Sequence, residues 1–339
     1  MPNRRHWSSE ANQGEDRLVA RVKSSATGEK ASGLRVGIGD DAAIWRPRPG
    51  RETVLTCDWF LEGIHFIRDW HPADAVGWKC LARAVSDVAA MGGEARCFLL
   101  SVAAPRELTG KWLDEFLEGL RRAAGQLRCA LAGGDTTRSD KALVSVTVIG
   151  EVRQGRALLR SGAQPGDAVF VSGCLGEAEA GLRLLRRSGG AADQADPRLR
   201  KHLYPEPRQA LGQWLSKRRL ATAAMDLSDG LSTDLGRLCE ASGTGARIEA
   251  GRLPAAPGAP KGNLELALHG GDDYELLFTV PPGKADEIPR AYRGVPLTRI
   301  GGITKGRKVL LVGESGTASR LRPGGWDPFT GRTRRRLQH

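Results

Sequence analysis

Strand-like and helix-like segments alternate along the chain, and this alternation constrains the fold more than any other feature of the sequence. ETVLTCDWF reads as a strand that ends beside Asp58, and DAVGWKCLARAVSDVAAMGG has the apolar spacing of a helix that Gly92 and Gly93 close. RCFLLSVAAP and ALVSVTVIGEV are further strand candidates, with the helix candidate WLDEFLEGLRRAAGQL between them. CALAGGDTT reads as a short strand followed by a loop that carries Asp135. The pattern predicts an α/β (α+β) protein.

The alternation breaks near Gly155 and then starts again. AVFVSG is a strand candidate, and GEAEAGLRLLRRSGG and PRQALGQWLSK are helix candidates separated by the polar stretch GGAADQADPRLRKH, which reads as a loop. Further along, MDLSDGLSTDL and HGGDDYELLFTV each place carboxylates next to a strand. We therefore expect two units, residues 1–153 and 154–339.

The composition argues against several classes of protein. The chain has no apolar run of about 18 residues that would span a membrane, and its first residues, MPNRRHWSSEANQ, lack the apolar centre of a secretion signal. The six cysteines form no C-x-x-C pair, so we expect reduced thiols rather than a zinc site. These features predict a cytoplasmic protein with no membrane partner.

The net charge of +12 raises the question of nucleic-acid binding. The basic residues are scattered, however, and the densest run, GRTRRRLQH, lies at the end of the sequence. A basic surface also suits a protein that handles phosphorylated small molecules. We therefore expect no nucleic-acid partner, although steeply salt-dependent binding to DNA or RNA would reveal one.

Carboxylates recur beside glycines and at strand ends. Asp40 and Asp41 follow Gly37 and Gly39, Asp87 lies inside an otherwise apolar helix, and the others are Asp58, Asp135, Asp226, Asp229, Asp272 and Asp273. Any one of them is as easily a turn or cap residue. As a set they are the oxygen ligands that Mg²⁺ prefers, and carboxylates converging from several loops would hold more than one ion.

Other phosphate-handling and nucleophilic motifs are missing from the sequence. There is no G-x-x-x-x-G-K-[ST], and GIGDDA is followed by Pro47 and Pro49, which forbid the helix that a dinucleotide fold requires. No G-x-S-x-G occurs, and the histidines show no H-E-x-x-H spacing. The residues favour metal-assisted, direct phosphoryl transfer over covalent catalysis.

The motifs together resemble the thiamine-monophosphate kinase family. The similar stretches run nearly end to end and occur in the family's order: GEDRLVARV, GIGDDAA, DWFLEGIHF, ARAVSDVAAMGG, LAGGDTTRS, GRALLRSGAQPGD, MDLSDGLSTDL, GGDDYELLFTV and GGWDPF. The resemblance implies transfer of the γ-phosphate of ATP to thiamine monophosphate, which gives thiamine diphosphate. It also implies the two-domain fold of the aminoimidazole ribonucleotide synthetase-like superfamily. In that fold, the N-terminal domains of a homodimer pair into a β-barrel and carry the ATP and metal sites, and the C-terminal domain completes the active site.

The resemblance also assigns roles to individual residues. The implied ligands of several Mg²⁺ ions are Asp41, Thr56, Cys57, Asp58, Asp87, Asp135, Asp226 and Asp229. Asp87, Asp135 and Asp226 are the implied catalytic carboxylates. The implied ATP contacts are Gly134, Asp135, Arg160 and Ser228, and the implied thiamine monophosphate contacts are His65, Asp272 and Trp326.

Two residues depart from the family pattern. Cys57 stands where Ser or Thr is usual, and a thiol is a poor Mg²⁺ ligand unless the backbone carbonyl does the binding. Asp272 stands where Glu is common and reaches one methylene less. The alternatives are an aminoimidazole ribonucleotide synthetase, a catalytically idle homologue and, less favoured because the first cysteine is Cys57, a selenophosphate synthetase.

Overall fold

The computed structural model describes residues 15–25, 33–38, 40–255 and 264–329. The helices in these ranges are α1 (Glu15–Ser25), α2 (Ala73–Ala90), α3 (Lys111–Leu127), α4 (Glu177–Arg187), α5 (Arg200–Leu203), α6 (Gln209–Arg218), α7 (Leu231–Ser242) and α8 (Leu264–His269). The strands of the first half are β1 (Leu34–Val36), β2 (Ile44–Trp45), β3 (Arg51–Leu61), β4 (Glu94–Ala104), β5 (Ala130–Arg138) and β6 (Leu143–Arg153). Those of the second half are β7 (Ala168–Ser172), β8 (Ala223–Asp226), β9 (Gly245–Glu249), β10 (Leu276–Val280), β11 (Ala291–Tyr292), β12 (Val295–Thr304), β13 (Val309–Val312) and β14 (Ala318–Arg320).

Four strands of the first half form a sheet in the order β3-β6-β4-β5. The pairs are antiparallel except β4 with β5, which run parallel. Along β3 the side chains alternate between the two faces, because successive residues of a strand point in opposite directions. Thr56 and Asp58 lie on the face that α2 covers, whereas Leu55, Cys57 and Trp59 lie on the open face. Leu55 is 67% exposed and Trp59 57% exposed.

Helices α2 and α3 pack together on the covered face of this sheet. Gly77 of α2 and Gly119 of α3 lie at their crossing. A Cβ at Gly77 would overlap the carbonyl oxygen of Phe116, and a Cβ at Gly119 would overlap that of Asp74. The two glycines therefore allow the close approach that fixes the position of α2.

The second sheet follows the order β14-β13-β9-β12-β7-β10-β8, with β11 paired to β12. Helix α7 packs on β8 and β9, and α6 lies against α2. Helix α2 also contacts β8 directly, so it lies between the two halves of the molecule. The side chains of α2 that face the second half are therefore placed to form a site with it.

The structure confirms the mixed α/β class and most of the predicted elements, and corrects three local predictions. Asp58 lies inside β3 and Asp135 inside β5, because both strands extend further than their turn-like composition indicates. The stretch expected to be a loop before α6 contains a 3₁₀ turn at Pro197–Leu199 and the short helix α5. The sheet β3-β6-β4-β5 is open in the single chain, and the described residues form no closed barrel; the barrel expected from pairing across a dimer stays a prediction.

None of the described helices is long and apolar enough to cross a lipid bilayer.

Candidate functional site

Helix α2 carries a polar stripe in an otherwise apolar sequence. The stripe consists of Lys79, Arg83, Ser86 and Asp87, which are spaced by four, three and one residues. This spacing places them on one side of the helix, because residues three and four apart are neighbours on a helix surface. Most of the rest of α2 is buried and apolar. The stripe faces the second half of the molecule.

Hydrogen bonds tie the stripe to both halves. Ser86 Oγ donates to Asp226 Oδ2 at the end of β8, at 2.7 Å. Lys79 Nζ donates to Asp272 Oδ2 at 2.9 Å. The Thr56 hydroxyl of β3 donates to Asp87 Oδ2. These contacts bring the carboxylates of three separate segments to one place.

A cavity of about 690 Å³ opens in front of the stripe. Five of its carboxylates come from β3, α2, the end of β8 and two loops of the second half: Asp58, Asp87, Asp226, Asp229 and Asp272. His65, Arg83, Tyr274 and Trp326 are among its other lining residues. The structure thus brings together all three predicted thiamine monophosphate contacts and four of the predicted metal ligands.

The carboxylates in this cavity repel one another, and their pKa values show it. Burial first, and then the neighbouring charge of Asp87, raise the pKa of Asp226 to about 8, although the hydroxyl of Ser86 opposes the shift. Burial also raises the pKa of Asp58; Arg83 opposes this shift, whereas Asp87 and Asp272 reinforce it. A divalent cation would relieve this repulsion, and carboxylate oxygens are the donors that Mg²⁺ prefers.

The donor set therefore fits Mg²⁺, although it does not form a closed ligand shell. Among the parts of the chain that the structure describes, no three His, Cys, Asp or Glu side chains are grouped to hold one metal ion. Mg²⁺ usually keeps several waters and takes only one or two carboxylates together with substrate phosphates. The carboxylates of the cavity suit that partial role.

A second cavity, of about 470 Å³, meets the first at Asp87 and Asp226. It lies between β3 and the segment 158–161, and its lining is mainly apolar, with Leu55, Met91, Leu158, Leu159 and Met225. Thr56 and Arg160 also line it. The predicted ATP contact Arg160 and the predicted thiamine monophosphate contacts therefore lie in two different cavities that share two aspartates.

The loop that carries Asp272 has an unusual backbone. Asp272 and Tyr274 have φ angles of +67° and +51°, which side chains other than glycine rarely adopt. The loop is held by hydrogen bonds to its neighbour: the Asp272 N–H donates to Ser228 O at 2.8 Å, and the Tyr274 hydroxyl donates to Asp272 Oδ1 at 2.8 Å. Strain of this kind persists where the surroundings fix it, often at functional sites.

Trp326 reaches the same cavity from the C-terminal segment. The backbone N–H of Trp326 donates to the carbonyl oxygen of Asp229 at 2.9 Å, and the Trp326 ring centroid lies 6.5 Å from that of His65. Gly325 allows this approach, since a Cβ there would overlap the same carbonyl oxygen of Asp229. The C-terminal GGW motif therefore places an indole beside His65 and the Ser228–Asp229 loop.

Four predicted site residues, Asp41, Cys57, Gly134 and Asp135, line neither cavity. Asp135 pairs with Ser101 on β4, and its register across the sheet places it on the open face with Cys57. Three strand spacings separate β5 from β3, which is about 14 Å. Asp41 is exposed, and its N–H donates to Asp40 Oδ1 at 2.9 Å. Gly39, one of the two glycines before Asp40 and Asp41, lies outside the described residues.

Gly134 has a structural reason for being glycine. A Cβ there would overlap the carbonyl oxygen of Leu100 on the neighbouring strand β4. The residue thus allows β4 and β5 to pair closely beside Asp135. This packing role is independent of any contact with a nucleotide.

The interpretation of the sequence missed Lys79, Arg83 and Ser86. Asp87 stood out as a carboxylate in an apolar helix, but the basic residues before it resemble the exposed polar positions of an ordinary amphipathic helix. Their spacing relative to Asp87 is the signal that could have found them.

The two halves of the chain match two family descriptions. Residues 39–152 match "AIR synthase related protein, N-terminal domain", and residues 164–313 match "AIR synthase related protein, C-terminal domain". The curated thiamine-monophosphate kinase of Escherichia coli (strain K12) is 38% identical over 325 residues, which cover 93% of this chain and 98% of that protein.

Solved structures agree with these matches. The crystal structure of thiamine-monophosphate kinase from Stenotrophomonas maltophilia K279a has a TM-score of 0.77 at 36% identity and covers 90% of this chain and 96% of its own. The structure of AaThiL complexed with AMPPCP and TMP has a TM-score of 0.73 at 32% identity and covers 96% of this chain and 100% of its own. The chain therefore belongs to the AIR synthase related proteins and, among them, to the thiamine-monophosphate kinases.

Proposed function

We propose that phosphoryl transfer takes place where the two cavities meet, at Asp87 and Asp226. As a member of its family the chain is an ATP-dependent kinase that converts thiamine monophosphate to thiamine diphosphate. The observation that carries the proposal is that the two cavities share these aspartates. An acceptor held in one cavity and ATP held in the other would place their phosphates on either side of the same pair of carboxylates.

We assign thiamine monophosphate to the larger cavity. The thiazolium ring of thiamine is flat and cationic, and an indole such as Trp326 is the preferred partner of such a ring. Burial and the charge of Arg83 lower the pKa of His65 to about 3, so its ring is neutral and adds no repulsion to the cation. The Leu61 N–H donates to His65 Nδ1 at 3.0 Å, which leaves the proton on Nε2. Asp272 contributes negative charge to the lining of the same cavity.

We assign ATP to the smaller cavity. Its apolar side chains suit a nucleotide base, and Arg160 at its rim supplies positive charge for phosphates. Ser228 lies in the larger cavity, next to Asp226, and is therefore placed for the end of the triphosphate rather than for the base. The acceptor phosphate is already an oxyanion at neutral pH, so direct transfer needs no strong general base.

We also propose that Asp58, Asp87, Asp226 and Asp229 hold Mg²⁺ together with the phosphates. Bound there, Mg²⁺ would screen the charge of two approaching polyanions and keep the reacting oxygens in line. The Thr56 hydroxyl orients Asp87, and Ser86 orients Asp226. Cys57 faces away from this set, so its carbonyl rather than its thiol would serve if the residue takes part.

We propose that the protein is a homodimer that pairs the open faces of its β3-β6-β4-β5 sheets. The exposed side chains of Leu55 and Trp59 support this, because pairing would remove these two large apolar side chains from water. The positions of Asp135 and Asp41 support it too. We propose that Asp135 and Asp41 take part in ATP and metal binding, and a site that includes Asp135 on the open face would be completed by a second copy.

One assay tests the function directly. Purified protein incubated with ATP, Mg²⁺ and thiamine monophosphate is expected to form thiamine diphosphate and ADP in equal amounts. ADP without the diphosphate would indicate a different acceptor, and no ADP would indicate an idle homologue. Trp326→Ala tests the cavity assignment: we expect it to raise the KM for thiamine monophosphate more than the KM for ATP, and equal increases would contradict the assignment.

A further inference from the structure

Arg83 lies in the middle of the α2 stripe and lines the larger cavity. Its side chain is only 16% exposed. The guanidinium carbon lies 5.4 Å from the centroid of the Phe60 ring, so one face of the group is stacked on an aromatic side chain. The contact with Phe60 holds the guanidinium at the edge of the cavity that Arg83 lines.

The guanidinium lacks a hydrogen-bond acceptor within the described residues. Its Nε is buried without a partner, and the carboxylate it pairs with by charge, Asp58, is 3.8 Å away, beyond hydrogen-bond distance. The other basic groups near the cavity are engaged. Lys79 donates to Asp272, and Arg237 donates to Asp229 and Asp234.

Arg83 is therefore a largely buried guanidinium whose hydrogen-bond donors have no acceptor among the described residues. Leaving the donors of a buried charged group without acceptors is costly, so such groups normally have partners. The planar fork of a guanidinium matches two oxygens of a phosphate, which it binds bidentately. The acceptor that Arg83 lacks therefore has the chemistry of a phosphate that enters the cavity with the substrate.

We propose that Arg83 binds the phosphate of thiamine monophosphate and so selects the phosphorylated acceptor over free thiamine. The acidic wall of the cavity attracts the thiazolium cation of either molecule, so it does not discriminate between them. Arg83 adds a donor pair that only the phosphorylated molecule can satisfy. This inference rests on the assignment of the larger cavity to thiamine monophosphate.

The test measures binding rather than turnover. Titration calorimetry with saturating Mg²⁺ and AMPPCP gives the dissociation constants of thiamine monophosphate and of thiamine for the wild type and for Arg83→Gln. We expect Arg83→Gln to weaken thiamine monophosphate binding by about 10- to 100-fold, the loss of one or two charged hydrogen bonds. Thiamine binding is expected to stay within about threefold of the wild type, since it makes no such bonds.

Arg83→Lys is the second variant. It keeps the charge over Phe60 but loses the fork, and we expect an intermediate loss for thiamine monophosphate alone. Because it is the milder change, it serves if Arg83→Gln fails to fold. Unchanged thiamine monophosphate affinity in a folded variant, or equal losses for both ligands, would overturn the proposal.

Two further variants distinguish an error in the cavity assignment from an error in the proposed role of Arg83. Arg122→Gln removes a guanidinium that stacks on Trp78 and Tyr204 outside the cavity, and it should leave both affinities unchanged. Trp326→Ala should weaken both ligands. If Trp326→Ala changes neither affinity, the cavity assignment fails; if it weakens both while Arg83→Gln changes neither, only the role of Arg83 fails.

Discussion

Lys79 reaches from α2 to the second half of the molecule, where its Nζ lies 2.9 Å from Asp272 Oδ2. Its side chain is 1% exposed. Burial alone would raise the pKa of Asp272, but the charges of Lys79 and Arg83 outweigh burial and lower it, so this carboxyl is ionised. Behind the pair, His202 Nδ1 lies 3.3 Å from Lys79 Nζ, and His202 Nε2 lies 3.0 Å from His71 Nε2. An ion pair between a buried lysine and a half-buried aspartate thus joins the two halves at the wall of the larger cavity.

Removal of Lys79 should be costly because it leaves the Asp272 carboxylate, which is 32% exposed, without its partner. We expect Lys79→Met to lower the free energy of unfolding by about 1–3 kcal/mol, measured by urea denaturation. Lys79→Met combined with Asp272→Asn should cost less than the sum of the two single changes, since no unpaired charge remains. Lys111→Met, at a lysine that is 89% exposed, is the control and should change little. Additive losses in the double variant would contradict the coupling.

Asp87→Asn should remove activity without unfolding the protein. The amide keeps the size of the side chain but lacks the charge proposed to hold Mg²⁺ between the substrates. We expect kcat to fall by at least about a thousandfold, equivalent to several kcal/mol of transition-state stabilisation, and added Mg²⁺ should not restore it. Asp114→Asn on α3, whose side chain is 66% exposed, is the matched control. Near-normal turnover of Asp87→Asn at saturating Mg²⁺ would exclude the residue from the metal site.

Asp273 should make stability depend on pH. Burial raises its pKa to about 8, although the backbone N–H groups of Gly176 and Ala178 donate to its carboxyl group and oppose the shift. Because the folded pKa lies above the unfolded value of about 3.9, the stabilisation is complete below the unfolded pKa and is lost as pH rises through about 8.

The comparison is between wild type and Asp273→Asn in urea denaturation at pH 5, 7 and 9. The wild type should lose more stability than the variant over this range, and the difference belongs to Asp273. Asp226 and Asp234 have raised pKa values as well, so both proteins share their contribution. Parallel pH profiles of the two proteins would contradict the assignment to Asp273.

Trp59→Glu should separate the proposed dimer. The change places a charge on the open face of the sheet, where pairing would bury it without a partner. Sedimentation velocity is expected to show a dimer for the wild type and a monomer for the variant. Lys111→Glu, on the helical side of the sheet, should remain dimeric. A monomeric wild type would contradict the dimer at once.

The family, the fold class and most of the helices and strands could be predicted from the sequence. Hydrophobic periodicity marks α2 and α3 clearly, and the ordered motifs identify the family that the comparisons confirm. The division at residues 153 and 154, the roles of individual site residues and the dimer stay predictions.

The arrangement of the site depends on register and on long-range packing, which a single sequence does not display. Asp58 and Cys57 are adjacent in sequence, yet they lie on opposite faces because both are inside β3. Asp135 follows two glycines like the other acids, but its strand lies at the far edge of the sheet. The Lys79–Asp272 pair joins residues 193 positions apart. No local pattern predicts that contact.

Helix α2 makes the spacing between residues as important as their identity. Each residue of an α-helix is rotated by about 100° from the one before it. One residue inserted between Lys79 and Asp87 would rotate these two side chains away from each other by that angle, with every side chain still present. The rotational position of the α2 residues around the helix axis therefore sets whether the side chains of α2 can meet those of the second half.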